Sequence, residues 1–70
     1  MAKPIKLRGD HITLAQAVKT AGGAESGGQA KVLIREGDVR VNGEQEKRPG
    51  RKLRAGDRFT LGESEWVIEP

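Results

Sequence analysis

A chain of 70 residues reads as a single domain, residues 1–70, with a core too small to enclose a long catalytic cleft. Without Cys and with one His, it has no disulfides, thiolate chemistry or cysteine-based zinc site, and no apolar run approaches the roughly 20 residues that span a bilayer. Lys and Arg number 13 against 10 Asp and Glu, a net charge of +3, and the opening MAKPIKLRGD lacks the apolar stretch of a secretory signal, so the expected location is cytoplasmic.

Ile5 and Leu7 alternate with Lys6 and Arg8, which predicts a short strand ended by Gly9 and Asp10. Thr13 with Gln16 predicts a capping box, each side chain satisfying an amide of the first helical turn. Leu14, Ala17, Val18 and Ala21 then form one apolar stripe on a helix of about two turns, closed by Gly22 and Gly23. The pattern repeats: Ser26 and Gln29 predict a second capping box, Ala30, Leu33 and Ile34 a buried stripe, and Gly37 a left-handed C-terminal cap. After Gly37 the period changes. Val39-Arg40-Val41 alternates into Asn42-Gly43, a type I′ hairpin signal because both central residues need positive φ. Glu44 to Glu46 would return as a polar edge strand, followed by a basic loop, Lys47 to Lys52, turning at Pro49-Gly50. Leu53 re-enters the core, Ala55-Gly56-Asp57 turns, and Phe59, Leu61, Trp66 and Ile68 supply the inward positions of two last strands around a turn at Gly62 to Ser64. The order predicts an α+β fold: two short packed helices followed by a small antiparallel, strongly bent sheet.

The charges are laid out with a direction. Between Lys47 and Arg58 stand six bases (Lys47, Arg48, Arg51, Lys52, Arg54, Arg58) and one acid, Asp57, whereas the last eight residues hold Glu63, Glu65 and Glu69 and no base. Such a separation suits a polyanionic partner, although Lys and Arg also simply solubilise loops. On the second helix, Gly27, Gly28, Lys31 and Arg35 share the face away from the apolar stripe. Lys31 and Arg35 are like charges at i and i+4, which repel mildly; a phosphate between them would turn repulsion into attraction, and solvent alone would also accommodate them. Gly27 and Gly28 are poor helix formers. Either they leave the helix N-terminus bare for another backbone to approach, or they make room for a tight contact with the first helix.

The run from Ser26 to Gly43, a helix closed by Gly37 and followed by Val39-Arg40-Val41-Asn42-Gly43, resembles the heart of the alpha-L RNA-binding domain named for ribosomal protein S-four, and Arg51 to Asp57 resembles the family's closing basic turn. The resemblance spans about residues 12–61, and the flanks resemble the small stand-alone, YbcJ-type members. It departs from the family at Gly27-Gly28, where many members carry Ser-Arg, so a phosphate contact from that turn would run through backbone amides. The resemblance implies an L-shaped surface against structured RNA, with Lys31 and Arg35 at exposed helix positions and Arg40, Arg48, Arg51 and Lys52 at basic strand and loop positions. Asn42 and Gly43 match the turn, a structural role. With Lys47 and Arg54 from the same basic segment and the Gly27-Gly28 amides, these residues are the expected RNA-binding set.

Folded RNA is read mostly through shape, phosphates and 2′-hydroxyls, and Arg grips phosphate oxygens with a planar fork. Phe59 and Trp66 are the sole aromatics and both fall at inward strand positions, so base stacking on an aromatic platform is not expected. If about four phosphates are neutralised, log affinity falls with log salt at a slope of about −3 to −4. Reversing charge at Lys31 or Arg51 is expected to cost affinity, and at Lys19 little. An interaction module for an acidic protein would use the same basic face. A ubiquitin-like carrier needs a free Gly-Gly end, and this sequence ends Ile68-Glu69-Pro70. No nucleophile motif and no phosphate-cradling Walker pattern is present, and His11 beside Asp10 is no acid–base pair by itself. The expectation is a monomer, not an enzyme, with no cofactor, no metal, no small-molecule substrate and no membrane partner.

Overall fold

A computed structural model describes residues 2–70. The elements in chain order are β1 (Lys3–Lys6), β2 (Ile12–Thr13), α1 (Leu14–Thr20), α2 (Gly27–Arg35), β3 (Val39–Val41), β4 (Glu44–Gln45), β5 (Lys52–Leu53), β6 (Arg58–Leu61) and β7 (Ser64–Glu69). The fold is α+β. Five strands form one sheet in the order β1-β7-β6-β3-β4, and β2 pairs with β5 in a separate two-stranded ribbon.

The local signals act as their chemistry requires. Thr13 and Gln16 close a complete capping box: the Gln16 amide donates to Thr13 Oγ1 at 3.3 Å and the Thr13 amide to Gln16 Oε1 at 3.2 Å. The second box forms by half. The Gln29 amide donates to Ser26 Oγ at 3.2 Å, but the Gln29 side chain accepts from the Glu25 amide at 2.7 Å and not from Ser26. The Gln29 carbonyl has swung one residue back, so it ties down the link between the helices instead. Helix α2 ends at Gly37, whose φ of +87° lets the Gly37 amide reach the Ile34 carbonyl and the Asp38 amide reach that of Leu33, at 3.0 and 3.2 Å. Asn42 and Gly43 both take positive φ, 51° and 87°, as the type I′ turn between β3 and β4 demands.

Leu14, Ala17 and Val18 from α1 and Ala30 and Ile34 from α2 are buried against Val39, Val41, Leu53, Phe59, Trp66 and Ile68. Leu33 and Ala21, expected in the helical stripes, are half-buried at the margin of that core. Phe59 and Trp66 face each other across β6 and β7 with ring centroids 5.1 Å apart and an interplanar angle of 16°, so neither presents a face for a base.

The sheet is antiparallel as expected from β4 to β7, and one edge adds a parallel strand. Strand β1 lies alongside β7 in parallel, Lys3 opposite Trp66 and Ile5 opposite Ile68. Burial favours this: paired at the edge beside β7, apolar Ile5 is buried in the core. Among the described residues, no helix is long and apolar enough to cross a membrane.

Candidate nucleic-acid interface

The basic loop is built around an acid. Across the hairpin, Val41 faces Glu44 and Arg40 faces Gln45, so the alternation carries Glu46 to the side of Val39 and Val41. Glu46 is buried, 7% exposed. Its carboxylate accepts from Arg48 Nε and Nη2 and from the Arg48 amide, each at 3.2 Å, and from Arg51 Nη1 at 3.0 Å. Hydrogen bonds from Arg48, then from Arg51, hold its pKa down at about 2 against the opposing push of burial. The Arg48 side chain is 77% exposed and that of Arg51 33%, so Arg51 is the less screened and steadier partner even though Arg48 makes more bonds.

The loop backbone is fixed as well. The Arg51 amide donates to the Arg48 carbonyl at 3.2 Å, closing the turn at Pro49-Gly50. The Arg51 carbonyl accepts from Leu14 at 2.8 Å and the Pro49 carbonyl from Ala15 at 3.0 Å. With Thr13 Oγ1 on Gln16, the first three amides of α1 are thereby satisfied by the loop and the cap. Further on, the Arg54 amide donates to Asp57 Oδ2 at 2.8 Å, and Asn42 clips the hairpin to the same turn by donating to Asp57 Oδ1 and accepting from the Arg58 amide. Asn42 is structural.

The expected cations fall into groups. Arg48, Arg51 and Lys52 line one recess of about 460 Å³ with Gly50. Arg40 is exposed on β3 opposite Gln45, and the Gln45 side chain donates to the Gly37 carbonyl at 2.9 Å, so Arg40 belongs to the C-terminal end of α2. The Lys47 stem also lies against Gly37, and Arg35 occupies the last turn of α2, where the helix dipole favours a cation. Lys31 is exposed one turn earlier. Gly27 and Gly28 stand at the other end of α2, roughly 12 Å from Arg35 at the rise of a helix. A Cβ at Gly27 would meet nothing within 4 Å, and one at Gly28 only Ser26 Oγ at 3.9 Å, so tight packing against α1 is not why they are glycines. Arg54 is exposed beyond β5 and lies outside the recess.

Arg48 and Arg51 are not free cations, because they share the Glu46 carboxylate and the trio carries a net +1. Glu46 itself was missed as a site residue. Its signal was present: strand phase across an Asn-Gly turn sets residue 46 on the inner face, and a buried carboxylate there needs the bases two and five residues on.

The S4 domain family model matches residues 5–69, from within β1 to the end of β7. The chain belongs to the S4 domain family. This S4 domain is 47% identical over 57 residues to a Bacillus subtilis (strain 168) protein named "Probable ribosome maturation protein RlbA", covering 81% of this chain and 80% of that one. It is 46% identical over 59 residues to an Escherichia coli (strain K12) protein named "Putative RNA-binding protein YbcJ", covering 83% of this chain and 84% of that one.

Proposed function

We propose that this S4 domain is an RNA-binding module, not an enzyme, that docks on folded RNA through phosphate contacts and serves ribosome maturation in the cytoplasm as a monomer. The observation that carries the reading is the anchoring of the basic loop. Long, mobile cations lose side-chain entropy on gripping phosphate. Here the loop that bears Lys47 to Lys52 is held at both ends by Glu46 and by the first turn of α1, so most of its backbone ordering is done before RNA arrives. Lys31, Arg35, Arg40, Lys47 and Lys52 are exposed and make no salt bridge among the described residues. They are the phosphate ligands, with Arg48 turning the exposed edge of its guanidinium outward. The relatives' names, one for RNA binding and one for ribosome maturation, support the same reading.

The test is fluorescence anisotropy with a labelled RNA hairpin over a salt series. The expected slope of log affinity against log salt is about −3 to −4. Lys31→Glu and Lys52→Glu should each weaken binding about tenfold, with a slope shallower by about one. Arg51→Glu is a poor probe, because it sets a second carboxylate against buried Glu46 and reports on folding. The matched control is Lys3→Glu, at the far end of β1 with its ammonium 5.9 Å from the Trp66 ring. A flat salt response, or equal losses at all three positions, overturns the proposal. Pull-downs that survive nuclease treatment would assign the basic face to an acidic protein.

A further inference from the structure

A second cationic cleft lies outside the interface described so far. Its volume is about 580 Å³, and it is lined by Lys6 at the end of β1, Arg8 and His11 in the link to β2, and Gln16 and Lys19 on α1, over Ile12. Helical spacing explains half of this wall. Gln16 and Lys19 sit at i and i+3 on the face of α1 opposite buried Leu14, Ala17 and Val18. The other half comes from the end of β1 and the link after it, which bring Lys6 and Arg8 to the same cleft.

Three features set the cleft apart from ordinary surface charge. First, no carboxylate is among its lining residues, and among the described residues Lys6, Arg8 and Lys19 make no salt bridge. Three cations thus share one wall with no acid in it, and Asp10 in the same link and Glu69, opposite Lys6 on β7, form no ion pair with them among the described residues. Second, the donors converge. Gln16 Oε1 is occupied by the Thr13 amide, so its NH₂ group remains to donate beside the three cations. Third, the position is connected. The floor strand β2 pairs with β5, Ile12 opposite Leu53 and Thr13 opposite Lys52, and Lys52 belongs to the Arg48-Arg51 recess. The two concavities therefore flank one two-stranded ribbon, on a molecule of 28 × 22 × 18 Å. Helix polarity accounts for Lys19, a base in the last turn of α1, but offers no reason for Lys6 and Arg8 to lie beside it.

We propose that this cleft is a second phosphate-binding site, which takes the backbone of another segment of the same RNA that lies on the basic loop. The inference rests on the RNA-binding reading and extends its footprint across the β2–β5 ribbon. It also reverses the expectation for Lys19, which sequence alone treated as remote from the interface. The ligand class is phosphodiester backbone; a flat aromatic or apolar ligand is not matched, because Ile12 is the sole aliphatic residue in the lining.

The experiment uses the whole chain and the paired neutral substitutions Lys6→Gln with Lys19→Gln, which keep the side-chain stems. Binding to the labelled RNA hairpin should weaken about threefold to tenfold, and the salt slope should become shallower by about two, one per cation removed. In parallel, amide NMR spectra of the unmodified protein are titrated with the hairpin and with poly-glutamate. RNA should shift the amides of Arg8, His11 and Lys19, and poly-glutamate should leave them nearly unmoved. Equal responses to both polymers would mean diffuse attraction and overturn the site. If the paired variant binds RNA as the parent does while Lys52→Glu is impaired, the cleft is wrong and the main interface stands. If the unmodified protein fails to bind RNA at all, both readings fall. Thermal melting of the paired variant, expected to match the parent, separates lost binding from lost folding.

Discussion

Replacing Glu46 by Gln keeps the shape of the side chain and withdraws one negative charge from between two guanidinium groups. In the parent protein the Arg48 and Arg51 bonds lower the Glu46 pKa from its ordinary 4.5 to about 2. Each tenfold change in proton affinity is worth about 1.36 kcal/mol, so the whole depression corresponds to about 3 kcal/mol. The Arg48 side chain is 77% exposed and water screens it, which brings the expected loss to about 1–2 kcal/mol. On a domain this small, that is about 5–15 °C in melting temperature. The pH dependence has a definite sign. A carboxylate whose folded pKa lies below its unfolded one stabilises fully above the unfolded value and loses that contribution as the pH falls through the folded value. The parent should therefore out-melt Glu46→Gln at neutral pH, and the gap should close as the pH drops from about 4.5 to about 2. Circular dichroism melts of both proteins across that window check it. Every other carboxylate is present in both proteins, so the difference between the two melts isolates Glu46. A gap that does not change with pH, or no gap at neutral pH, would refute the reasoning.

Gly37→Ala should destabilise by about 1–2 kcal/mol in urea titration, because φ of +87° is strained for Ala and the new Cβ displaces the Gln45 amide from the Gly37 carbonyl. Gly28→Ala has open space and no positive φ, so it should stabilise α2 by about 0.5–1 kcal/mol, read as a higher urea midpoint. Asn42→Gly keeps the hairpin turn but loses the bonds to Asp57 and from Arg58, for a cost of about 1–2 kcal/mol; Asn42→Ala should lose more, since Ala is strained at φ 51°.

Sequence made the local structure legible wherever one residue type has one physical use. Thr13 and Gln16, Gly37, and Asn42-Gly43 all act within four residues of themselves, and each adopts the cap or turn its chemistry favours. The inward positions Phe59, Trp66 and Ile68 followed from strand period, which depends only on neighbours. The features that escaped depend on distant partners. Nothing within β1 says that Ile5 will pair in parallel with Ile68, some sixty residues away in the chain. Nothing near Lys19 says that Lys6 and Arg8 will line the same cleft. Gln29 had two nearby amides to choose from, and residue spacing alone does not decide between Ser26 and Glu25. The basic segment was legible as charge but not as a division of labour, because the acid that organises it stands just outside the run.

That division determines what a scan of the cations should find. Arg48 and Arg51 belong to the fold: they neutralise Glu46, and the loop between them supplies the carbonyls that satisfy Leu14 and Ala15 at the start of α1. Removing either leaves a buried carboxylate short of donors, so loss of RNA affinity there is mixed with loss of α1. Lys31, Arg35, Lys47 and Lys52 form no ion pair among the described residues, so replacing them should leave the fold intact and read on binding alone. A loop that also caps a helix explains how 70 residues with a small core hold a basic surface in order. The hydrogen bonds that fold the domain are the same ones that orient the site, and a separate supporting layer is unnecessary.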